Sequence, residues 1–502
     1  MTTDAVSAPS ETEFETVIGL EVHCQLRTNS KMFCRCPANY QDTAPNTHVC
    51  PVCQALPGTL PVINRQAVEW TIKTGLALQM AIPELSKFDR KNYPYPDLMK
   101  GYQISQFDMP LTSAGYLDVT VDGATARIGI ERVHLEEDTA RLLHRTNEAG
   151  ESYSLVDMNR AGVPLMEIVS DPDMRSPDQA REYLVNLRQI LRYLGVSTAD
   201  MEKGSFRCDA NVSLRPVGAT ELGAKVEVKN MNSFRAVYKA LQFEVVRQTE
   251  RLRQGDRIVQ ETRGWIDGEE VTVSQRTKEY AADYRYFPEP DLPPLRIDRE
   301  LVSEIEASLP ELPKARFDRF QADYALGDFE AGLLTEDQER ADFYESAVRA
   351  QPESAPADGS HKIANWITGE LARIQNERNQ SLADLKVKPE HFGQLVALIE
   401  AGTISNKLAK TVFETMYESG KDPESIVKES GQTQISDESE LRAVIDQVVA
   451  EQPDAVQDYR DGKDTAIKFL VGQVMRATKG RANPQTANAL LQDALDGLGE
   501  PH

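Results

Sequence analysis

No apolar run in these 502 residues approaches the ~18 that a membrane helix needs. The first sixteen residues carry neither the basic and apolar stretches of a signal peptide nor the arginines of a transit peptide, which predicts a cytoplasmic protein. Cysteine is scarce: six in all is too few for a disulfide scaffold. There is no G-x-x-x-x-G-K-[ST] loop, no G-x-G-x-x-G turn after a strand, and no G-x-S-x-G elbow. Any nucleotide must be held by other means. Positive charge is also short, with 56 Lys and Arg against 79 Asp and Glu and a formal net charge of −23. A field of that sign repels phosphate, so contact with nucleic acid requires a local basic surface or recognition of shape.

What is present has the balance of a soluble globular protein, 40% hydrophobic and 27% charged, long enough for two to four domains. Up to about Ile297 short alternating segments such as YLDVTV, ARIGI and KVEVK read as strands, antiparallel for the most part. Helices with 3.6-residue periodicity, Arg65 to Met80 and Pro177 to Leu194, interrupt them. From Arg299 onward helix caps take over: Ser405 to Gly420, Asp422-Pro423 to Gly431, and a start at Ser436 or Asp437. The expected architecture is α+β: an extension over 1–16, a largely antiparallel cradle domain over 17–297, a helical domain over 298–402 and a small helical tail over 403–502.

Four of the six cysteines, Cys34, Cys36, Cys50 and Cys53, form a C-x-C-x13-C-x2-C pattern. Four thiolates able to converge tetrahedrally suit Zn²⁺, and a site closed by four sulfurs is structural. His48 is the weaker substitute for one thiolate. A second cluster is of hard ligands. Glu21 and His23 share one face of a strand, Glu131, His134, Glu136, Glu137 and Asp138 crowd IERVHLEED, and Asp209 and Glu227 lie on further strands. Carboxylates with an imidazole are donors for Mg²⁺ or Mn²⁺. Cys24, on the opposite side of its strand from His23, reads as core. The segment FDRKNYPYPDLMKGYQISQ sets Arg90, Lys91 and Lys100 among Tyr93, Tyr95 and Tyr102, groups that suit phosphate or an adenine. In VDMNRAGVPLMEIVS, Arg160 and Glu167 flank a Gly/Pro turn.

The blocks VIGLEVHCQL, KFDRKNYPYPDLMKGYQISQ, VHLEEDTAR, VDMNRAGVPLMEIVSDPD, RCDANVSLRP, VEVKNMNSF and DYRYFPEPDLPPL, with GQVMRATKGRANP near the end, resemble the B subunits of the bacterial Asp/Glu-tRNA amidotransferases. The resemblance implies a cradle-shaped catalytic domain, a helical domain and a tRNA-binding tail. It implies that ATP phosphorylates the side-chain carboxyl of Glu on tRNA(Gln) or Asp on tRNA(Asn). An amidase-type A subunit then supplies ammonia from glutamine, and a small C subunit clasps the assembly. This chain lacks the Ser-Ser-Lys arrangement of an amidase, in keeping with glutamine hydrolysis elsewhere. Carried over residue by residue, the Mg²⁺ ligands fall on Glu21, His23, Glu137, Asp209 and Glu227, with Glu136 as a neighbouring alternative. Lys91, Tyr93 and Glu167 fall near the activated carboxyl.

Between Gly462 and Pro484, Lys463, Lys468, Arg476, Lys479 and Arg481 stand against Asp464 alone. Ile467, Leu470, Val471, Val474 and Met475 form the packing stripe of that segment, which turns Lys468, Arg476, Lys479 and Arg481 outward. Charge alone reads as a solvated helix end, since cations favour a helix C-terminus; the resemblance implies that these residues contact the tRNA body. Two other readings compete with the catalytic one: a non-catalytic tRNA-binding scaffold and a metal-dependent phosphohydrolase. Clustered acidic ligands beside a basic aromatic loop favour an enzyme.

Overall fold

The computed structural model describes residues 13–277, 284–351, 358–430, 438–478, 482 and 484–497. The chain divides into two compact units, Met1–Leu312 and Pro313–His502. No helix among the described residues is long and apolar enough to cross a membrane.

The first unit is built on one mixed sheet of eight strands. In chain order these are β1 (Phe14–Gln25), β2 (Thr112–Val121), β3 (Ala124–Glu137), β4 (Pro164–Ser170), β5 (Phe206–Pro216), β6 (Val226–Met231), β7 (Glu261–Ile266) and β8 (Val271–Thr277). Their spatial order is β8-β7-β6-β5-β1-β4-β3-β2, and every neighbouring pair is antiparallel except β6 with β7. The antiparallel expectation therefore holds, and the long β1 sits at the centre of the sheet.

Helices α1 (Arg65–Ala77), α2 (Pro177–Tyr193) and α3 (Phe234–Arg253) share one core with the sheet. In α2, Ser176 accepts the Gln179 N–H and Pro177 opens the first turn, while Ala180, Tyr183, Leu184, Leu187 and Leu191 form the buried stripe. Ser233 caps α3 in the same way, through the Ala236 N–H. Facing strands supply the other half of this core with Ile18, Leu20, Val22, Ile168, Val212 and Val228. The opposite face of the sheet is thereby left for polar groups.

A fourth helix, α4 (Arg299–Ala307), was expected to open the helical domain. It belongs to the first unit instead, because Val302 and Ile305 join the core of the sheet. The second unit is helical. Ser405 does cap a helix, Asn406–Ser419, that ends at left-handed Gly420. That helix shares a core with the segment before it, since Phe413 packs against Trp366, Phe392 and Tyr417. A separate small core runs from Leu441 to Leu495. The hydrophobic division in this unit thus falls after Pro423–Ser430, later than the 402/403 boundary read from the sequence.

Candidate functional site

The site follows from the pleat. Along β1 Ile18, Leu20, Val22 and Cys24 turn into the core, so Glu21, His23 and Gln25 face the other way. The same alternation brings Arg207, Asp209 and Asn211 of β5, Glu167 of β4, His134 and Glu136 of β3, and Glu227 and Lys229 of β6 to that face. Cys24 is a core residue as expected, its thiol pushed up to about 12 by burial.

Register then lines up a row across four strands: Arg207 opposite His23, His23 opposite Glu167, Glu167 opposite His134. Nε2 of His23 lies 3.4 Å from Glu167 and 3.8 Å from Glu136, and Nε2 of His134 lies 3.5 Å from Glu167. One ligand atom each from His23, Glu136 and Glu167 falls within 4.8 Å of the others. An imidazole with two carboxylates is a donor set for Mg²⁺ or Mn²⁺. Ligands about 2.1 Å from such an ion stand about 3 Å apart when adjacent and about 4.2 Å when opposite, and these spacings fit.

Electrostatics support a cation here. Burial works against charge on His23, but the hydrogen bond and charge of Glu167, with Glu136, carry its pKa to about 9. His134 is driven down to about 4 by burial, against the pull of Glu167, and so stays neutral. Burial and the neighbouring Glu167 raise Glu136 to about 6, offset in part by Lys91 and His23. Glu167 meets the same burial, yet His134, His23 and Lys91 hold its carboxyl well below the usual range. Lys91, on the short strand Asp89–Asn92, is opposed by burial and still raised by Glu136, the tyrosines and Glu167. Its ammonium sits 5.1 Å over the Tyr284 ring. Tyr93 borders the site through Tyr284 and stacks on Tyr95.

Of the five ion ligands expected from the sequence, only His23 belongs to the converging group. Glu137 does not join it, and Glu136 takes its place. One step along β3 reverses the side of the sheet, so Glu137 accepts instead from Lys100 Nζ at 2.6 Å and the Ile104 N–H at 3.0 Å. Glu21 accepts from Asn211 Nδ2 at 2.9 Å. Asp209 and Glu227 share the Lys229 ammonium, at 2.5 and 3.2 Å. Lys229 and Arg207 escaped the sequence reading. Each lies two residues from an acidic group singled out there, and that spacing was the signal for a shared face.

The four cysteines come together as expected. Their sulfurs lie within 4.8 Å of one another, with Cys36 to Cys53 at 4.0 Å and Cys50 to Cys53 at 3.9 Å. A tetrahedron of Zn–S bonds of about 2.3 Å has edges of about 3.8 Å, so the residues fit zinc. The hydrogen bond from Cys34, with help from the Cys50 backbone and the Lys31 charge, draws Cys53 down to about 4 against burial. Lys31 is fully buried and donates to the carbonyls of His48 and Met158. His48 is not in the group of four.

A hydrogen-bonded line runs from this loop to the sheet face. Tyr40 pairs with Gln25 at 3.1 Å, Gln25 donates to Asp138 at 2.6 Å, and Asp138 accepts from Arg207 at 3.1 Å. In the second unit Lys468 and Arg476 are exposed, while Leu470 and Val474 are buried with Ile467, Val471 and Met475 packed beside them. Lys479 and Arg481 lie outside the described residues.

Purified protein is expected to hold one zinc per chain. Cys50→Ser or Cys53→Ser should release it and lower the melting temperature, because an incomplete tetrahedron forfeits folding energy. Metal analysis that finds no zinc in protein prepared without chelators would remove this assignment. A divalent ion at His23 must displace a proton held up to about pH 9. Mn²⁺ affinity should therefore rise about tenfold per pH unit from pH 7 toward 9, with proton uptake by the buffer. Calorimetric titrations at pH 7 and 8 with equal affinity would contradict it.

Comparison with known proteins agrees with this division. The GatB/GatE catalytic domain family matches residues 16–303, and the GatB domain family matches residues 342–495. The chain is 58% identical to a Thermomicrobium roseum protein named as the B subunit of an aspartyl/glutamyl-tRNA(Asn/Gln) amidotransferase, over 96% of this chain and 99% of the relative. Relatives of the same name from Dehalococcoides mccartyi and Carboxydothermus hydrogenoformans are 56% and 54% identical, each over 97% of this chain and at least 99% of their own length. With the catalytic-domain match covering the whole sheet-borne site, the chain belongs to the family of B subunits of the aspartyl/glutamyl-tRNA(Asn/Gln) amidotransferases.

Proposed function

We propose that this chain activates and amidates the side-chain carboxyl of Glu on tRNA(Gln), of Asp on tRNA(Asn), or of both, with ATP as phosphoryl donor. The observation that carries the reading is the convergence of His23, Glu136 and Glu167, with Lys91 facing them. A carboxylate oxygen of the aminoacyl group attacks the γ-phosphorus of ATP, and the bond to the β,γ-bridging oxygen breaks with its electron pair leaving on ADP. Ammonia then attacks the acyl carbon, the bond to phosphate breaks, and nitrogen gives up a proton to leave the amide. Phosphoryl transfer depends on charge neutralisation and alignment more than on covalent help.

In this reading His23, Glu136 and Glu167 hold Mg²⁺, which supplies positive charge against the transferring phosphoryl group. Lys91 aligns the anionic substrate. Neutral His134 holds Glu167 in place from the far side, and Glu21, Asp209 and Glu227 with Lys229 form a neighbouring polar wall. Zinc on Cys34, Cys36, Cys50 and Cys53 fixes the loop that Tyr40 belongs to. Glutamine hydrolysis falls to an A subunit of amidase type, and a C subunit completes the assembly. The subunit letter in the relatives' name and the absence of an amidase motif support that division.

His23→Ala and Glu167→Gln should each lower ATP-dependent amidation by about 10²–10⁴-fold, the kinetic equivalent of losing several kcal/mol of charge stabilisation. Glutaminase activity of the assembly should survive. With ammonium chloride as nitrogen donor, Glu136→Gln should cost more than Glu137→Gln. The reverse order, or near-normal amidation by His23→Ala, would refute the ligand assignment.

Lys468 and Arg476, on the exposed side of helix Asp464–Ala477, contact the tRNA body in this proposal, continued by Lys479 and Arg481. Lys468→Glu with Arg476→Glu should raise KM for misacylated tRNA and flatten its dependence on salt by about two counterions, with kcat retained. An unchanged salt slope would mean that this helix does not touch RNA.

A further inference from the structure

Two arginines stand beside the buried carboxylate of Asp138, and they differ in what they have left to offer. Arg160 is spent on the protein: Nε donates to the Thr139 carbonyl at 2.8 Å, and Nη2 donates to the Ala140 carbonyl at 2.9 Å. Its approach to Asp138 is only 3.7 Å. Arg207 makes one hydrogen bond within the described residues, from Nη2 to Asp138 at 3.1 Å, and its side chain is 38% exposed. A guanidinium has five N–H donors in a rigid plane, so most of the Arg207 fork remains available.

Position decides what those donors are for. Arg207 lies opposite His23 on the neighbouring strand and on the polar face of the sheet. Its charge reaches both His23 and Glu136, two of the three converging donors. Lys91 approaches the same donors from a different element, the short strand Asp89–Asn92. The anchor is stiff as well, because Asp138 is buried and also accepts from Gln25 at 2.6 Å and from the Thr139 N–H at 2.9 Å. A carboxylate so held fixes the direction of the guanidinium without consuming it.

We propose that Arg207 is a further catalytic residue, whose free N–H groups donate to non-bridging oxygens of the phosphoryl group as it passes from ATP to the substrate carboxylate. Asp138 is its positioning residue. The proposal rests on the phosphorylation reading above and adds a second fixed cation to it. Charge in such a transfer spreads over the three equatorial oxygens, and a planar fork meets two of them where an ammonium meets one. Arg207 stays protonated throughout, so it donates hydrogen bonds and moves no proton.

The test uses the assembled amidotransferase with misacylated tRNA, following ADP and amidated product together. Arg207→Ala should lower kcat by about 10²–10³-fold, the usual loss on removing one fixed donor to developing charge. KM for ATP and for tRNA should stay within about threefold, and the melting temperature should change little. Guanidinium at tens of millimolar should restore part of the rate to Arg207→Ala and none to His23→Ala. Arg207→Lys keeps a cation for Asp138, should the alanine variant fold poorly, and is expected to regain less than a tenth of kcat. A kcat within threefold of the unaltered assembly overturns the proposal. So does recovery of Arg207→Ala by a second change, Asp138→Asn, because Arg207 would then only neutralise a buried carboxylate. If the unaltered assembly forms no ADP with misacylated tRNA, the phosphorylation reading fails and this proposal with it. Loss confined to Arg207→Ala leaves that reading standing.

Discussion

Two carboxylates, Glu136 and Glu167, are forced close together in a poorly solvated place, and the rest of the polar face is arranged around that repulsion. Left alone, such a pair would keep a proton between them. Here Glu167 is flanked by imidazoles from the strands on either side, and the charge of Lys91 reaches both acids from a separate short strand. The imidazoles are driven in opposite directions, His23 toward charge and His134 away from it. One histidine thus supplies a cation, and the other stays neutral 3.5 Å from Glu167. A bound divalent ion would take over the role of the proton on His23.

The second acidic group obeys the same rule by a different route. Asp209 and Glu227 already have a permanent cation in Lys229, and Glu21 has the Asn211 amide. Acidic residues on this face divide into those already held by a partner on the sheet and those that converge on one another, with His23, Lys91 and Arg207 around them. The second kind is where a metal ion has most to contribute.

How far the sequence could be read follows from the range of the interactions involved. Cysteine spacing within twenty residues gave the four-sulfur group directly, since short loops leave few ways to arrange it. Period-2 alternation placed Glu21 and His23 on one face and Cys24 in the core, as found. The choice between Glu136 and Glu137 was beyond it. That choice depends on which side of β3 meets the helices, and Val133 and Leu135 settle it only after the chain has folded. The same holds for α4, whose caps identify a helix but whose attachment to the first core rests on Val302 and Ile305 finding partners far away in sequence. Caps such as Ser405 and Gly420 are local, and they were legible.

The line from Tyr40 through Gln25 and Asp138 to Arg207 has a consequence for how damage to the cysteine loop would be interpreted. Each member has its partner within hydrogen-bonding distance, so the loop carrying Tyr40 is tied to Arg207 by an unbroken line of contacts. Under the roles proposed above, oxidation or metal loss at the four sulfurs would then resemble an active-site lesion in its kinetics, although the sulfurs form a group apart from His23, Glu136 and Glu167. With those roles, fold maintenance and turnover would share that line of hydrogen bonds, and an inhibitor that pries the loop loose would act on the reaction from a distance.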